Sequence, residues 1–143
     1  MKPLPIFSVR QADWQTDRKS LRAIREEIFV REQSVPDEME WDEFDEQSLH
    51  VVAIADGVPI GTGRLLPDSH IGRMAVLREW RGQGVGSALL TTLIETARRL
   101  GMSRVVLNAQ IQALPFYLRH GFQATSEEFL DAGIAHRRMW RDI

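Results

Sequence analysis

Cysteine is absent from the 143-residue chain. Its absence excludes disulfide bonds, thiolate metal sites and a cysteine nucleophile, and it removes thiols as a guide to the redox compartment. Long apolar segments are also missing, because the N-terminus lacks the apolar core of a secretory signal peptide and no run reaches the length of a membrane span. We therefore expect a cytoplasmic protein without a membrane partner.

An excess of positive charge is missing as well, since the formal net charge is −2. This balance argues against a nucleic-acid partner. No grouping of histidine, aspartate and glutamate has the spacing of metal ligands, so no metal is expected. The charges are nevertheless unevenly distributed: residues 37–46 contain seven acids and no lysine or arginine, whereas residues 64–104 contain seven arginines. The split suits an anionic ligand in one half and a cationic substrate near the other, although a solvated acidic loop explains the first segment equally well.

The clearest local pattern lies in the middle of the chain, where a β-branched segment at 71–76 precedes a glycine-rich turn and an apolar-periodic run. The pattern predicts a strand, a turn and a helix. The first backbone N–H groups of a helix have no intrahelical partner and favour anions. Gly82, Gly84 and Gly86 would let a ligand approach those amides closely, and Arg81 adds a permanent cation. The turn therefore predicts a phosphate or pyrophosphate ligand.

The spacing of this turn differs from the two better-known phosphate loops. No lysine follows the glycines, as a P-loop requires, and Ser87 occupies the last glycine position of a dinucleotide fingerprint. The spacing is R-x-x-G-x-G, carried by Arg81, Gly84 and Gly86. It closely resembles the acetyl-coenzyme A signature of the GCN5-related N-acetyltransferase (GNAT) superfamily.

A second motif supports the same resemblance. The segment from Ala113 to Phe122 reads A-x-x-F-Y-x-x-x-G-F, which is similar to a pattern of that superfamily. The flanks resemble the bacterial ElaA-like and YjcF-like subgroup in residues 28–33, 49–52, 108–110 and 131–136. Almost the whole chain is covered by the resemblance.

The resemblance implies one N-acetyltransferase domain over residues 1–143 with an α/β (α+β) GNAT fold. Its central sheet is mixed, mostly antiparallel and twisted, with about seven strands, a V-shaped splay between strands 4 and 5, and about four flanking helices. The residue pattern agrees: an Asp56–Gly57 turn predicts a hairpin, and a crossover helix makes the strand at 105–109 parallel to that at 71–76. The acidic residues 37–46 are predicted to form a loop or an irregular second helix.

By the same resemblance, backbone groups on the strand at 71–76 bond the pantetheine arm of the coenzyme, and the glycine turn holds its pyrophosphate. The opposite strand and the short helix after it supply the other contacts. The implied coenzyme-binding residues are Met74, Ala75, Val76, Arg81, Gly82, Gln83, Gly84, Val85, Gly86, Ser87, Asn108, Phe116 and Tyr117.

Transfer to an amine needs an acid to protonate the leaving thiolate and a base to deprotonate the amine. Tyr117 is the only tyrosine and occupies the motif position that implies the acid, although it could instead be a core aromatic. Many relatives carry a glutamate base on the strand where this chain has Arg73. The candidate bases are therefore Glu32, His50 and His136, acting directly or through water, although for each of them a purely structural role is favoured over catalysis.

These features predict an acetyl-CoA-dependent N-acetyltransferase that moves an acetyl group directly to a primary amine in a ternary complex. A small-molecule acceptor is favoured over a protein amine because no partner-binding extension is visible. We expect a monomer or a homodimer. There are two alternatives: a non-catalytic acyl-CoA binding or sensing domain, and a nucleotide-binding regulatory module with a similar turn. The enzyme is favoured by the presence of Tyr117 and by the lack of a DNA-binding helix or basic tail.

Overall fold

The computed structural model describes residues 6–125 and 127–143. Its first helix is an α-helix at the start and a π-helix at the end. Strand β1 (Ser8–Ala12) leads into helix α1 (Trp14–Arg25), which continues as a π-helical segment (Glu26–Glu32). Asp13 caps α1, because its side chain accepts a hydrogen bond from the Gln15 amide at 2.8 Å. Helix α1 therefore begins directly after Asp13.

The acidic residues 37–46 adopt the irregular helical form that was one of the two expectations. Helix α2 (Asp37–Glu40) is followed by a 3-10 turn (Glu43–Asp45). Pro36 precedes α2, and the residue before a proline avoids helical angles, so the chain leaves the first helix at this point. We call residues 37–46 the acidic segment.

The first sheet is an antiparallel meander in the order β1-β2-β3-β4. It contains β2 (Leu49–Ala55), β3 (Val58–Leu65) and β4 (Ile71–Val76). The Asp56–Gly57 turn joins β2 to β3, which confirms the predicted hairpin.

Helix α3 (Val85–Arg99) packs against this sheet and forms the main core. Gly61 and Gly63 of β3 make the close packing possible, because a Cβ atom there would lie 3.0 Å from Leu89 Cδ1 and 2.9 Å from Leu93 Cδ1, respectively. The sequence predicted a bend or the approach of another backbone at these glycines. The approach is instead made mainly by leucine side chains of α3, together with the Ala75 carbonyl at 3.1 Å from the Gly61 position.

The second sheet is smaller and has its most C-terminal strand in the middle. It contains β5 (Arg104–Gln110), β6 (Gln123–Ala124) and β8 (Ile134–Asp142) in the order β5-β8-β6, and a short β7 (Phe129–Asp131) also pairs with β8. Helix α4 (Leu114–Arg119) connects β5 to β6. Strands β5, β6 and β7 therefore each pair with β8.

Within the described residues, the two sheets meet at one parallel bridge between His70 and Val106. The Val106 amide donates to the Ser69 carbonyl at 3.1 Å there. Beyond this point β4 and β5 diverge and leave a cleft. Residues 6–125 and 127–143 form eight strands and four α-helices, and together with the splay these elements confirm the predicted fold class.

No helix formed by residues 6–125 or 127–143 is long and apolar enough to span a bilayer.

Candidate active site

An open cleft of about 810 Å³ lies between the diverging β4 and β5. Backbone and side chains of β4 form one wall, and the end of β5 with α4 forms the other. The predicted coenzyme-binding residues that line this cleft are Met74, Ala75, Val76, Arg81, Gly86, Asn108, Phe116 and Tyr117. The structure therefore brings residues from both motifs to one site.

The glycine turn lies at one end of the cleft and begins α3. Gly82 has φ of 75° and Gly84, the N-cap of α3, has φ of 86°, a left-handed conformation that side chains rarely adopt. Gly86 is not left-handed, but a Cβ atom on it would lie 3.5 Å from the Phe116 ring. Val85 is buried in the core, so only its backbone can face a ligand. Gly84 is thus required by the backbone conformation, and Gly86 keeps the space beside Phe116 open.

The side chains of the turn are occupied by protein partners. The Gln83 amide nitrogen donates to the Glu79 carbonyl at 3.0 Å. The Ser87 hydroxyl lies 3.0 Å from His120 Nε2, and burial is the main cause of the lowered pKa of His120. Any anion in the turn would therefore be held chiefly by the backbone amides of the α3 N-terminus.

Arg81 connects the turn to both β4 and the π-helical segment. Its Nε donates to the Val76 carbonyl at 3.0 Å, and its guanidinium pairs with the Glu32 carboxylate at 2.9 and 3.0 Å. The side chain remains 41% exposed, so its outer edge is still accessible to an anion. The hydrogen bond from Arg81 lowers the pKa of Glu32. A carboxylate held ionised in this way has little affinity for a further proton, which makes Glu32 a weak candidate base.

Tyr117 reaches across the cleft from α4 to β4. Its hydroxyl donates to Met74 Sδ at 3.7 Å, and its ring packs edge-on against Phe116 and Phe122 with centroids 5.0 and 5.8 Å apart. Burial raises the pKa of Tyr117 to about 12. The phenol is therefore protonated at neutral pH and faces the centre of the cleft.

His136 also lines the cleft, near its other end. Its Nδ1 lies 2.6 Å from the Ile134 carbonyl and donates to it, and its ring stacks on Phe129 with centroids 5.9 Å apart. Because Nδ1 carries the proton in that hydrogen bond, Nε2 of a neutral ring is left as an acceptor.

His50, the third candidate base, does not line the cleft. It is buried on β2, where its ring stacks on Trp14 at 4.6 Å and its Nε2 lies 2.8 Å from the Asp45 carbonyl. Burial lowers its pKa. The alternation of side chains along β2 directs it toward α1, and its role is to hold the acidic segment in place.

Gln33 and Gln110 connect the two sides of the cleft. The Gln110 side-chain amide donates to Gln33 Oε1 at 2.7 Å and accepts from Gln112 at 2.6 Å. The end of the π-helical segment is thus joined to the end of β5. Residues 28–33 and 108–110 both belong to the subgroup-like segments, but no local pattern predicts that they meet.

Three carboxylates of the acidic segment pair with three arginines from elsewhere in the chain. Glu40 accepts from Arg25 at 2.9 Å, and Asp45 accepts from Arg25 at 2.7 Å and from Arg64 at 2.9 Å. We call this set the arginine–carboxylate network; its members are Arg25, Glu40, Asp42, Asp45, Arg64 and Arg73.

The network changes the electrostatics expected of the acidic segment. Asp42 pairs with Arg64 at 2.8 Å and with Arg73 at 3.2 Å. Burial opposes ionisation of Asp42 and is the largest single influence on it, but the hydrogen bond and charge of Arg64, the charge of Arg73 and the Phe44 amide together outweigh burial, so the pKa of Asp42 is lowered. Burial dominates at Glu40, whose pKa is raised despite Arg73 and Arg25. The segment therefore presents fewer free negative charges to the cleft than its composition indicates.

The pairing bears on the expectation of a cationic substrate near the acidic segment. Glu40 and Asp42 line the cleft, but both pair with arginines. The exposed apolar side chains of Met39 and Phe44 also line the cleft. The segment therefore offers a substrate apolar contact as well as charge.

Across residues 6–125 and 127–143, no three histidine, aspartate or glutamate side chains come together in a way that could hold a metal ion.

The splay, the glycine turn and the cleft-facing tyrosine are the features expected of a GNAT acyltransferase. A family model described as "Acetyltransferase (GNAT) domain" matches residues 15–142, so the chain belongs to the GNAT acetyltransferase family. It is similar to the uncharacterized N-acetyltransferase YjcF of Bacillus subtilis (strain 168), with 45% identity over 123 residues that cover 83% of this chain and 88% of YjcF.

Solved structures agree with this assignment. An acyl-CoA N-acyltransferase from Pseudomonas aeruginosa is 30% identical with a TM-score of 0.83, covering 96% of this chain and 99% of its own. ElaA of Escherichia coli is 25% identical with a TM-score of 0.85, covering 95% of this chain and 99% of ElaA. The predicted relation to the ElaA-like and YjcF-like proteins is confirmed.

Proposed function

We propose that the protein is an acetyl-CoA-dependent N-acetyltransferase that moves an acetyl group directly to a primary amine while both substrates occupy the cleft. The observation that carries this proposal is the position of Tyr117, whose protonated hydroxyl crosses to β4 in the same cleft that the glycine turn borders. The coenzyme would supply the activated acetyl group as a thioester. The Pseudomonas aeruginosa relative, described as an acyl-CoA N-acyltransferase, supports the same coenzyme class.

The residues fit a long anionic coenzyme at two places. The amides at the start of α3 and the exposed edge of Arg81 suit its phosphates. The diverging β4 exposes backbone of Met74, Ala75 and Val76 to the cleft, where it can bond an extended amide arm as a neighbouring strand would. An N–H group of that strand can also polarise the carbonyl that is attacked.

His136 is the base that the geometry favours. It lines the cleft with Nε2 available as an acceptor, whereas Glu32 is bound by Arg81 and His50 lies outside. Accepting a proton from the ammonium would leave the amine lone pair free to attack, and Tyr117 would donate a proton toward the departing sulfur.

The acceptor is proposed to be a small-molecule amine with an apolar portion. Its entry would pass Met39 and Phe44, which are 48% and 42% exposed and line the cleft opposite the glycine turn. A protein amine is the alternative acceptor.

An acceptor screen tests the proposed function directly. We expect the purified protein to consume acetyl-CoA faster in the presence of at least one member of a panel of primary amines, with equal amounts of free thiol and acetylated amine formed. Coenzyme A binding without amine-dependent turnover across aliphatic, aromatic, amino-acid and peptide amines would favour the non-catalytic binding domain. Tighter binding of ATP or NAD than of coenzyme A would favour the nucleotide-binding module.

Replacing Gly84 by valine should weaken coenzyme A binding about tenfold, because a left-handed residue with a side chain costs about 1–2 kcal/mol. The strain would move the first amides of α3 away from the ligand. Isothermal calorimetry with coenzyme A measures the effect. Gly57→Val is the matched control: Gly57 has φ of 75° in the β2–β3 turn, with open space around it, so it incurs the same strain away from the cleft. Equal affinities of Gly84→Val and the parent protein would show that the turn does not hold the coenzyme.

A further inference from the structure

Strand β4 contains one residue more than its partner β3 at the point where the cleft begins. Thr62 pairs with Ala75 and Arg64 pairs with Gly72, so Gly63 alone lies opposite both Arg73 and Met74. This arrangement is a β-bulge. The first bulged residue, Arg73, has φ of 50°, a conformation in which glycine is normally found. An arginine at this position is strained and needs compensating contacts to stay there.

The compensating contacts come from the arginine–carboxylate network. The Arg73 guanidinium lies 3.2 Å from Glu40 Oε1 and 3.2 Å from Asp42 Oδ2, and it donates to the Glu40 carbonyl at 3.3 Å. Glu40 and Asp42 are themselves fixed by Arg25 and Arg64 at 2.9 and 2.8 Å. Arg25 and Arg64 therefore fix the carboxylates that Arg73 contacts. The Arg73 guanidinium in turn fixes the backbone of β4 relative to the acidic segment.

The bulge decides which side chains of β4 face the cleft. Met74 follows Arg73 directly and accepts the Tyr117 hydrogen bond. In a strand, a change of pairing by one residue turns every following side chain to the opposite face. If β4 lost its extra residue at this point, the backbone and side chains from Met74 to Val76 would no longer meet Tyr117 in the present orientation.

We propose that Arg73 is a positioning residue for acyl transfer: its guanidinium, held by Glu40 and Asp42, maintains the left-handed bulge that directs Met74 and Ala75 toward the reacting groups. This proposal rests on the proposed function for its kinetic readout. In this proposal the Arg73 side chain shapes the strand and does not accept a proton.

Two substitutions at Arg73 separate the backbone conformation from the side chain. Arg73→Ala removes the guanidinium and keeps the penalty of a positive φ, so the bulge should be lost and kcat should fall about ten- to a hundredfold. Arg73→Gly also removes the guanidinium but adopts the positive φ without strain, so it should recover a large part of kcat. Coenzyme A affinity should fall less than kcat in both variants, because the glycine turn that holds its phosphates is unchanged. Arg104→Ala, which breaks an exposed ion pair with Asp142 far from the cleft, is the control and should retain parent kcat.

A second readout does not depend on activity. The backbone amide chemical shifts of Met74 and Ala75 in ¹⁵N-labelled protein should change strongly in Arg73→Ala and return toward the parent values in Arg73→Gly. Parent-like kcat and parent-like shifts in folded Arg73→Ala would overturn the proposal. Equal losses in the alanine and glycine variants would also overturn it, because the effect would then come from the missing charge. If the parent turns over no amine, the proposed function fails, and the amide shifts alone decide whether Arg73 maintains the bulge.

Discussion

Replacing Tyr117 by phenylalanine should lower turnover about ten- to a hundredfold and leave acetyl-CoA affinity nearly unchanged. The substitution removes only the hydroxyl, while the ring keeps its edge-on contacts with Phe116 and Phe122. Because burial raises the pKa of Tyr117 to about 12, the hydroxyl keeps its proton at neutral pH and can donate it toward a departing sulfur. The same shift means that ionisation of Tyr117 should not reduce parent turnover at pH 9. Steady-state kinetics over a pH series and calorimetry with coenzyme A measure both effects.

A companion variant distinguishes proton donation from simple packing. Met74→Leu removes the sulfur that accepts the Tyr117 hydrogen bond but leaves the hydroxyl in the cleft. If Tyr117 acts as an acid, Tyr117→Phe should lose much more turnover than Met74→Leu. Similar losses in the two variants would mean that the hydroxyl serves only to fix Met74. Unchanged turnover of Tyr117→Phe, with chemistry limiting the rate, would reject the acid role.

Replacing Arg25 by methionine should lower the free energy of unfolding by about 3–5 kcal/mol, since removing one partner of a buried ion pair leaves buried charge less well compensated: Glu40 would keep only Arg73 and Asp45 only Arg64. Arg25 is 1% exposed, and its partners Glu40 and Asp45 are 2% and 4% exposed. Methionine retains an apolar stem of similar length, so the loss isolates the charge. Urea denaturation at pH 7 measures it. A matched exposed pair provides the control: Arg10→Met, which removes the partner of Asp17, should cost about 1 kcal/mol or less.

The penalty in Arg25→Met should shrink as the pH falls. Burial already raises the pKa of Glu40, and losing Arg25 would raise it further. A group with a raised folded-state pKa favours the folded protein at low pH and loses that contribution as the pH rises through the folded-state value. The difference between Arg25→Met and the parent should therefore be smaller at pH 5 than at pH 7. A difference that is independent of pH would show that the lost stability comes from packing and not from charge.

Features set by local chemistry were predictable from the sequence. The Asp13 cap, the Asp56–Gly57 turn and the left-handed Gly84 each depend on residues within a few positions of one another. The strand at 71–76 and the helix from Val85 were predictable for the same reason, because apolar spacing and glycine placement are read over a short window. The two motifs then located the cleft, since each lies at a strand end that the crossover connection brings together.

Features set by long-range pairing were not predictable. The acidic segment has the composition of a solvated loop, and only its contacts with Arg25, Arg64 and Arg73, which lie 15 to 34 residues away, show that three of its carboxylates are paired within the protein. His50 was a reasonable candidate base by residue type, but the face of β2 on which it lies depends on how that strand pairs. Glu32 is a weaker candidate base because it pairs with Arg81, which is 49 residues away in the sequence. None of these pairings is indicated by a pattern among neighbouring residues in the sequence.

The central place of β8 in the second sheet has a consequence for how the protein is made. β5 pairs with β8 along its whole length, and β6 and β7 also pair with β8, so the arm of the cleft that carries Asn108 and Gln110 has no partner strand until residues 134–142 have left the ribosome. The first sheet consists of contacts between neighbouring strands and can form while the chain is still being synthesised. A nascent chain stalled before residue 134 should therefore contain a folded meander that cannot retain coenzyme A, and coenzyme capture should begin only after release of those residues.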